Sequence, residues 1–310
     1  MPTAPSSAGS ARSALVALLG LLAVAAAWGS SFPLTKSLLQ RMTPLNFLAV
    51  RFTIAGLVML VVFFPAVRRL SRTALTRGVV LGATYGVAQI LQTIGLTHTS
   101  ASVSGFVTGM YVVLTPICAA ALLRTRIGRR VWIGAVVATI GLAILALSGL
   151  HLGVGEAITL ASAVIYALHI VGLGAWSTAR QALGLAVVQI VVTGLVSLLA
   201  ATIAEPGGLT LPASGFDWTA LLYMALISGA VAMIVQSWAQ AHLAPSRAAI
   251  IMSTEPAWAA LFSITFLDEP LTWRIAVGGA LMLAAMVLVE SGPREAGAAP
   301  HPDELPKLAA

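Results

Sequence analysis

The sequence predicts an all-α polytopic membrane protein, with ten transmembrane helices built as an inverted repeat of five plus five. Three observations carry this. Hydrophobic residues make up 59% of the 310 and charged residues 9%, against roughly 45–50% and about 25% in a soluble domain. The apolar residues fall into stretches of about 20, the length that crosses a hydrocarbon core. Polar and proline markers of the first half recur in order in the second. With a mean hydropathy of +0.97, a water-facing surface could not be covered, which excludes a cytosolic enzyme, a disordered regulator and a disulfide scaffold. Cys118 is the single cysteine and forms no internal disulfide. The basic residues cluster at the ends of apolar segments rather than in one stripe, so they report topology and not a nucleic-acid partner.

Taken in order, the predicted spans are 13–39, 44–65, 74–97, 102–123, 131–149, 154–178, 182–204, 217–241, 246–267 and 273–290. Pro44 suits a first helical turn, and so does Pro245 just before the ninth span. The ends, 1–12 and 292–310, are rich in Ala, Pro, Ser and Gly and are expected to be disordered. The first segment mimics a signal peptide, with Arg12, an apolar run and Ala25-Ala26-Ala27. It continues past Trp28 to near Leu39 and is expected to stay as a full span. With a cytoplasmic N-terminus, the cytoplasmic segments hold Arg12, Arg68, Arg69, Arg72, Arg77, Arg124, Arg126, Arg129, Arg130, Arg180, Arg247, Arg294 and Lys307. The opposite side holds Lys36, Arg41 and Arg274. Thirteen against three predicts both termini in the cytoplasm.

The repeat units are 13–150 and 154–291. Trp28-Gly29 matches Tyr166-Ala167, and Arg51 matches Gln189, at an offset of 138. Gln92 meets Gln236 at 144, Pro116 meets Pro256 at 140 and Trp132 meets Trp273 at 141. Five is odd, so the second unit enters from the other side of the membrane. Secondary transporters use such inverted repeats, with the substrate site near the midplane.

Polar side chains inside a span are costly unless they face protein or water. Span 4 carries Ser104, Thr108, Tyr111 and Thr115 on one face, and span 3 carries Tyr85, Gln89 and Gln92. Span 6 adds Ser162, Tyr166, His169 and Trp176; span 1 adds Trp28, Ser31 and Thr35; span 8 adds Gln236 and Gln240; span 9 adds Met252 and Glu255. A single Ser or Thr is read as an interhelical hydrogen bond, worth about 0.6 kcal/mol. The stripes of spans 3 and 4 together are read as one wall of a shared amphipathic cavity. The substrate-binding candidates are therefore Trp28, Ser31, Tyr85, Gln89, Gln92, Thr108, Tyr111, Tyr166, His169, Gln236, Gln240 and Glu255. Gly78, Gly82 and Gly86, with Ala101, Gly105 and Gly109, form small-residue faces read as packing.

Two buried charges need a reading. Arg51 sits about 10 Å deep at 1.5 Å per residue from Pro44. Lys36 lies near the outer end of span 1 and can snorkel. Two readings stand for Glu255: it binds a substrate amine or a proton, or it hydrogen-bonds backbone freed by Pro256. His169 is a proton site or a hydrogen-bonded structural histidine. Pro116 and Pro256, matched by the repeat, are candidate hinges. No GxSxG, Walker loop or HExxH is present, and the five histidines lack metal-ligand spacing. The reading is therefore not an enzyme, with no cofactor and no metal.

WGSSFPLTK (28–36), RFTIAGL (51–57), HTSASVSGFVTGMYVVLTP (98–116) and LAPSRAAIIMSTEPAWAALFSITFLDEPLTW (243–273) resemble the EamA family of the drug/metabolite transporter superfamily. The resemblance covers about residues 13–290, in two tandem halves. The last segment is the most specific, with its E-P in mid-helix and its closing Glu269. The first half reads RTRIGRR where an acidic residue is expected. The resemblance implies a ten-helix exporter of the bacterial inner membrane, whose relatives move amino acids and other metabolites, among them aromatic amino acids in YddG-type exporters. The expected function is secondary export of small metabolites, namely aromatic or other apolar amino acids, by rocking of the two halves. The expected partners are that substrate, the lipid bilayer and a candidate coupling proton, with no nucleic acid; a monomer is consistent with the sequence. The alternatives are a cationic-drug exporter or metabolite importer of the same superfamily, or a non-transporting membrane sensor or scaffold.

Overall fold

The computed structural model describes residues 7–123, 128–148, 151–178, 180–205, 207–240 and 251–291. The helices are α1 (Ser7–Leu38), α2 (Pro44–Arg68), α3 (Arg72–Thr97), α4 (Ala101–Gly109), α5 (Tyr111–Leu123) and α6 (Arg129–Ala146), then α7 (Val154–Trp176) and α8 (Ala182–Ala204). They continue as α9 (Gly215–Leu222), a π-helical segment (Tyr223–Val231), α10 (Ala232–Gln240), α11 (Glu255–Phe266) and α12 (Trp273–Glu290). Joined across their breaks, the described residues form ten helical passes in chain order. Among the described residues, seven helical stretches are long and apolar enough to cross a membrane, two of them running across a break, and Trp273–Val289 is a shorter apolar helix. Val61, Ile203 and Phe266 are 79%, 76% and 70% exposed, an outward apolar surface that a lipid surround accounts for.

The sequence starts these helices with side-chain caps. Thr43, Ser71, Ser100, Ser214 and Thr272 each accept a hydrogen bond from a backbone N–H three residues on, satisfying a donor that has no intrahelical partner. Among the described residues the second pass is kinked at Phe63, ahead of Pro65, and three more are interrupted. The fourth breaks at Met110, between α4 and α5; the eighth winds through the π-helical segment; the ninth turns at Ser253-Thr254 before α11. Two details differ from expectation. Residues 7–12, expected to be disordered, are the start of α1, because Ala, Ser and Arg there extend the helix that the apolar run propagates. The connection after α6 holds a two-residue antiparallel bridge, Leu147 to Leu152 and Ser148 to His151. Residues 1–6, 292–310 and the 241–250 segment with Pro245 lie outside the described residues.

The packing repeats when the two halves are exchanged. α2 runs along α8, and α6 along α12. α1 packs on the π-helical segment, α10 and α11; correspondingly, α7 packs on α3, α4 and α5. α4 also packs on α11. Small residues allow these approaches. A Cβ on Gly82 would stand 2.8 Å from the Gln189 carbonyl oxygen, and one on Gly105 would stand 2.6 Å from Ala259 Cβ. The glycine face of α3 is therefore buried against α8, as the small-residue pattern predicts.

On one face, the connections are tied together. Lys36 Nζ donates to the carbonyls of Leu96 and Thr99, both at 2.7 Å. Thr99 Oγ1 donates to Glu156 at 2.5 Å. Glu269 accepts from the Ala101 and Ser102 backbone at 2.7 and 3.1 Å. Arg41 bridges to the buried Asp217 at 2.5 Å. These links join the ends of α1, α3 and α4, α7, α9 and α11.

Candidate functional site

The interior polar side chains gather where α3, α5, α7 and α11 meet. Tyr85 of α3 lies 5.7 Å from Tyr166 and 5.3 Å from His169, ring centre to ring centre, both on α7. Tyr111, the first residue of α5, lies 6.4 Å from Tyr166. Phe52 of α2 meets Tyr85 edge-on at 6.2 Å. The i, i+3, i+4 spacing of each stripe is what turns these groups inward on neighbouring helices.

An amide network holds the rings in place. Gln89 Nε2 donates to Tyr85 Oη at 2.8 Å. Gln92 accepts from Tyr166 Oη at 3.0 Å and donates to Thr108 at 3.1 Å, so one side chain joins α3, α4 and α7. His169 Nε2 pairs with Gln189 Oε1 at 2.7 Å, and Gln189 donates onward to the Leu185 carbonyl. Ser162 ties α7 to the Ala88 carbonyl of α3 at 2.9 Å.

Glu255 enters this cluster because the ninth pass breaks just before it, which puts the carboxylate at the first position of α11. It lies beside Tyr111 and within electrostatic reach of Tyr85 and Tyr166. Gln236 reaches the same break through Met252 Sδ at 3.5 Å. Arg51 packs its guanidinium on Phe47 and Phe52, at 5.8 and 5.1 Å from the ring centres, and faces Tyr85 and Tyr166. Arg51, Tyr85, Gln92, Tyr111, Gln236 and Glu255 all remain partly accessible.

Other sequence candidates have other neighbours. Trp28 Nε1 donates to the Ser228 carbonyl at 2.8 Å, and Ser31 pairs with Ser228 Oγ at 2.8 Å. Both dock α1 on the π-helical segment, where Tyr223 Oη also meets Ser30 at 2.9 Å. Lys36 caps the end of α3. Pro116 lies inside α5, and Pro256 in the first turn of α11. The side chain of Gln240 lies outside the described residues. Phe52, Gln189, Ser228, Tyr223 and Glu269 were not among the candidates. Gln189 carried a signal, since the repeat pairs it with Arg51. Among the described residues no three metal-ligating side chains come together.

The EamA-like transporter family matches residues 15–147 and 153–291, one copy per half. The chain belongs to this family. An uncharacterized transporter of Archaeoglobus fulgidus is 32% identical over 267 residues, covering 86% of this chain and 83% of that protein. The uncharacterized transporter YvbV of Bacillus subtilis is 26% identical over 274 residues, covering 85% and 88%. A solved structure described as "Crystal structure of protein" aligns with a TM-score of 0.58 at 18% identity, over 91% of this chain and 96% of that one; this likeness is one of fold. The EamA-like assignment makes the chain a multi-pass membrane transporter of a small molecule. The tyrosine and glutamine cluster draws on both copies of the repeat.

Proposed function

We propose that this EamA-like chain is a secondary exporter of amino acids with aromatic or other apolar side chains, working in the bacterial inner membrane. The observation that carries the reading is the partly accessible cluster of Tyr85, Tyr111 and Tyr166 with its amides, flanked by Arg51 and Glu255. Tyrosine faces suit an ammonium group and an apolar side chain together, while amides and phenols supply the remaining hydrogen bonds.

Both termini are cytoplasmic in this reading, and the halves are inverted. The split of basic residues supports the first, and the packing that repeats on exchange of two odd-numbered halves supports the second. The tied face is then the outer one, so the cluster is loaded from the cytoplasm, as export requires. The halves rock about the cluster to release substrate, with Glu255 as the carrier of a coupling proton. Glu255 among the rings also favours a second reading, export of an apolar cation.

The test is counterflow in liposomes against a panel of labelled amino acids and one labelled aromatic cation. Label accumulation driven by unlabelled phenylalanine or tryptophan supports the amino-acid reading. Accumulation of the cation alone, abolished by Glu255→Gln, replaces it with the second.

A further inference from the structure

We infer that Arg51 is the carboxylate-binding subsite of the transport path, and that the protein selects molecules carrying a carboxylate beside an apolar ring. This deepens the amino-acid reading and rests on it for the identity of the cargo. A guanidinium well inside a span is costly and is retained when it faces a partner or a path. Its planar fork of five donors matches a carboxylate with two parallel hydrogen bonds. Arg51 has no such partner here. Among the described residues the ion pair formed is Arg41 with Asp217, and Arg51 makes ring contacts with Phe47 and Phe52 but no hydrogen bond.

Two further observations aim this group at a ligand. The buried polar atoms left without a partner belong to Asn46, Ser104, Ser197 and Asp217, and none to Arg51; its nitrogens therefore border accessible space. Glu255 shares Tyr85 and Tyr166 with Arg51 as electrostatic neighbours without pairing with it. Two opposite charges held apart around the same two rings are each completed by a molecule carrying both signs. A doubly negative phosphate ester would satisfy Arg51 but place its second charge toward the Glu255 carboxylate, which disfavours that class. The carboxylate thus lies at Arg51, and the ammonium lies toward Tyr111 and Glu255.

The test is tryptophan-fluorescence titration of the purified full chain with L-phenylalanine, 3-phenylpropionate and phenethylamine. Wild type is expected to bind all three, phenethylamine the weakest. Arg51→Met is expected to weaken both carboxylates by about tenfold or more while leaving phenethylamine within about twofold, and Arg51→Lys to recover part of the loss. An unchanged 3-phenylpropionate affinity in Arg51→Met, or no binding of either carboxylate by wild type, overturns the subsite. If Arg51→Met aggregates, phenylglyoxal labelling of wild type decides. Protection of Arg51 by 3-phenylpropionate and not by phenethylamine upholds the subsite, and equal labelling rates overturn it. Arg51-dependent binding of 3-phenylpropionate without amino-acid counterflow would remove the amino-acid reading and keep the subsite. Counterflow with Arg51-independent carboxylate binding would do the reverse.

Discussion

Lys36 and Glu269 cap opposite ends of one turn, residues 98–100. Lys36 Nζ reaches the last carbonyls of α3 through Leu96 at 2.7 Å and Thr97 at 3.4 Å. Glu269 takes the first N–H groups of α4, at Ala101 and Ser102, and the Ser102 hydroxyl at 2.6 Å. Each charge meets the helix end of opposite partial charge and satisfies backbone groups with no intrahelical partner. The two side chains lie within electrostatic reach of each other. One comes from the first half of the chain and the other from the second, so the turn is clamped by both repeats.

Removing one side of this clamp should loosen the tied face. Glu269→Ala leaves two backbone donors and a hydroxyl short of an acceptor, about 1–3 kcal/mol if they stay dry. The melting temperature in detergent should fall, and Glu269→Gln should fall less. In a Cys118→Ala background, a cysteine placed at Ser100 should react several-fold faster with a membrane-impermeant maleimide once Glu269 is alanine. Equal reaction rates and an unchanged melt would show that the clamp does not hold the face shut.

Gln92 is the joint of the aromatic cluster, and Gln92→Leu should separate function from folding. Two interhelical hydrogen bonds at about 0.6 kcal/mol each are a small loss of stability. Tyr166 and Thr108 nevertheless lose their shared partner, so the wall facing the path is no longer held in register. Initial flux in liposomes is expected to drop about tenfold with a melting temperature near wild type. A variant that keeps full flux would reduce the Gln92 network to packing.

Much of this was legible in the residues. Apolar length set the passes, and stripe spacing placed Tyr85, Gln89, Gln92, Tyr111 and Tyr166 on converging helices, because helical periodicity fixes which side chains share a face. What escaped depends on partners distant in sequence. The hydrogen bonds of Trp28 and Ser31 go to Ser228 on the π-helical segment. A π register leaves no mark in hydropathy, so that partner was invisible. Glu269 drew notice only as a family feature, since the helix end it caps lies far away in sequence. Met110 breaks the fourth pass beside Gly109, a glycine that the small-residue face of α4 already accounts for, whereas Pro116 stays inside α5.

The glycine face of α3 provides a sharper test of packing. A Cβ on Gly82 would meet backbone of α8, with the Gln189 carbonyl oxygen at 2.8 Å and Gln189 Cα at 2.9 Å. Backbone cannot rotate aside, so Gly82→Ala should cost about 1–3 kcal/mol by overpacking. It should also disturb the His169–Gln189 pair, because Gln189 is the residue pushed. Gly174, with nothing within 4 Å of its added Cβ, is the control, and its alanine variant should melt at or slightly above wild type. Similar melts for the two variants would mean that α3 and α8 can part without penalty.

Pro116 and Pro256, paired by the repeat, stand in different places and should behave differently. Pro116 is inside α5, where it removes a backbone donor from the ladder. Pro256 is in the first turn of α11, where an N–H has no intrahelical acceptor in any case. Pro116→Ala therefore restores a ladder hydrogen bond and relieves an intrinsic helix penalty of about 3 kcal/mol, part of which neighbouring helices already offset. Its melting temperature should rise. If the fourth pass must flex during transport, turnover should fall while substrate affinity stays near wild type, because proline offers the ligand no side-chain donor. Pro256→Ala restores nothing that α11 can use. The break before it is set by the Ser253-Thr254 turn, where Thr254 Oγ1 donates to the Ile251 carbonyl at 2.6 Å. That variant should change melt and flux little. The paired measurement is melting temperature in detergent and initial flux in liposomes for both variants. If Pro116→Ala melts early, the kink serves packing and the hinge role fails. If Pro256→Ala alone slows turnover, the flexing point belongs to the ninth pass instead of the fourth.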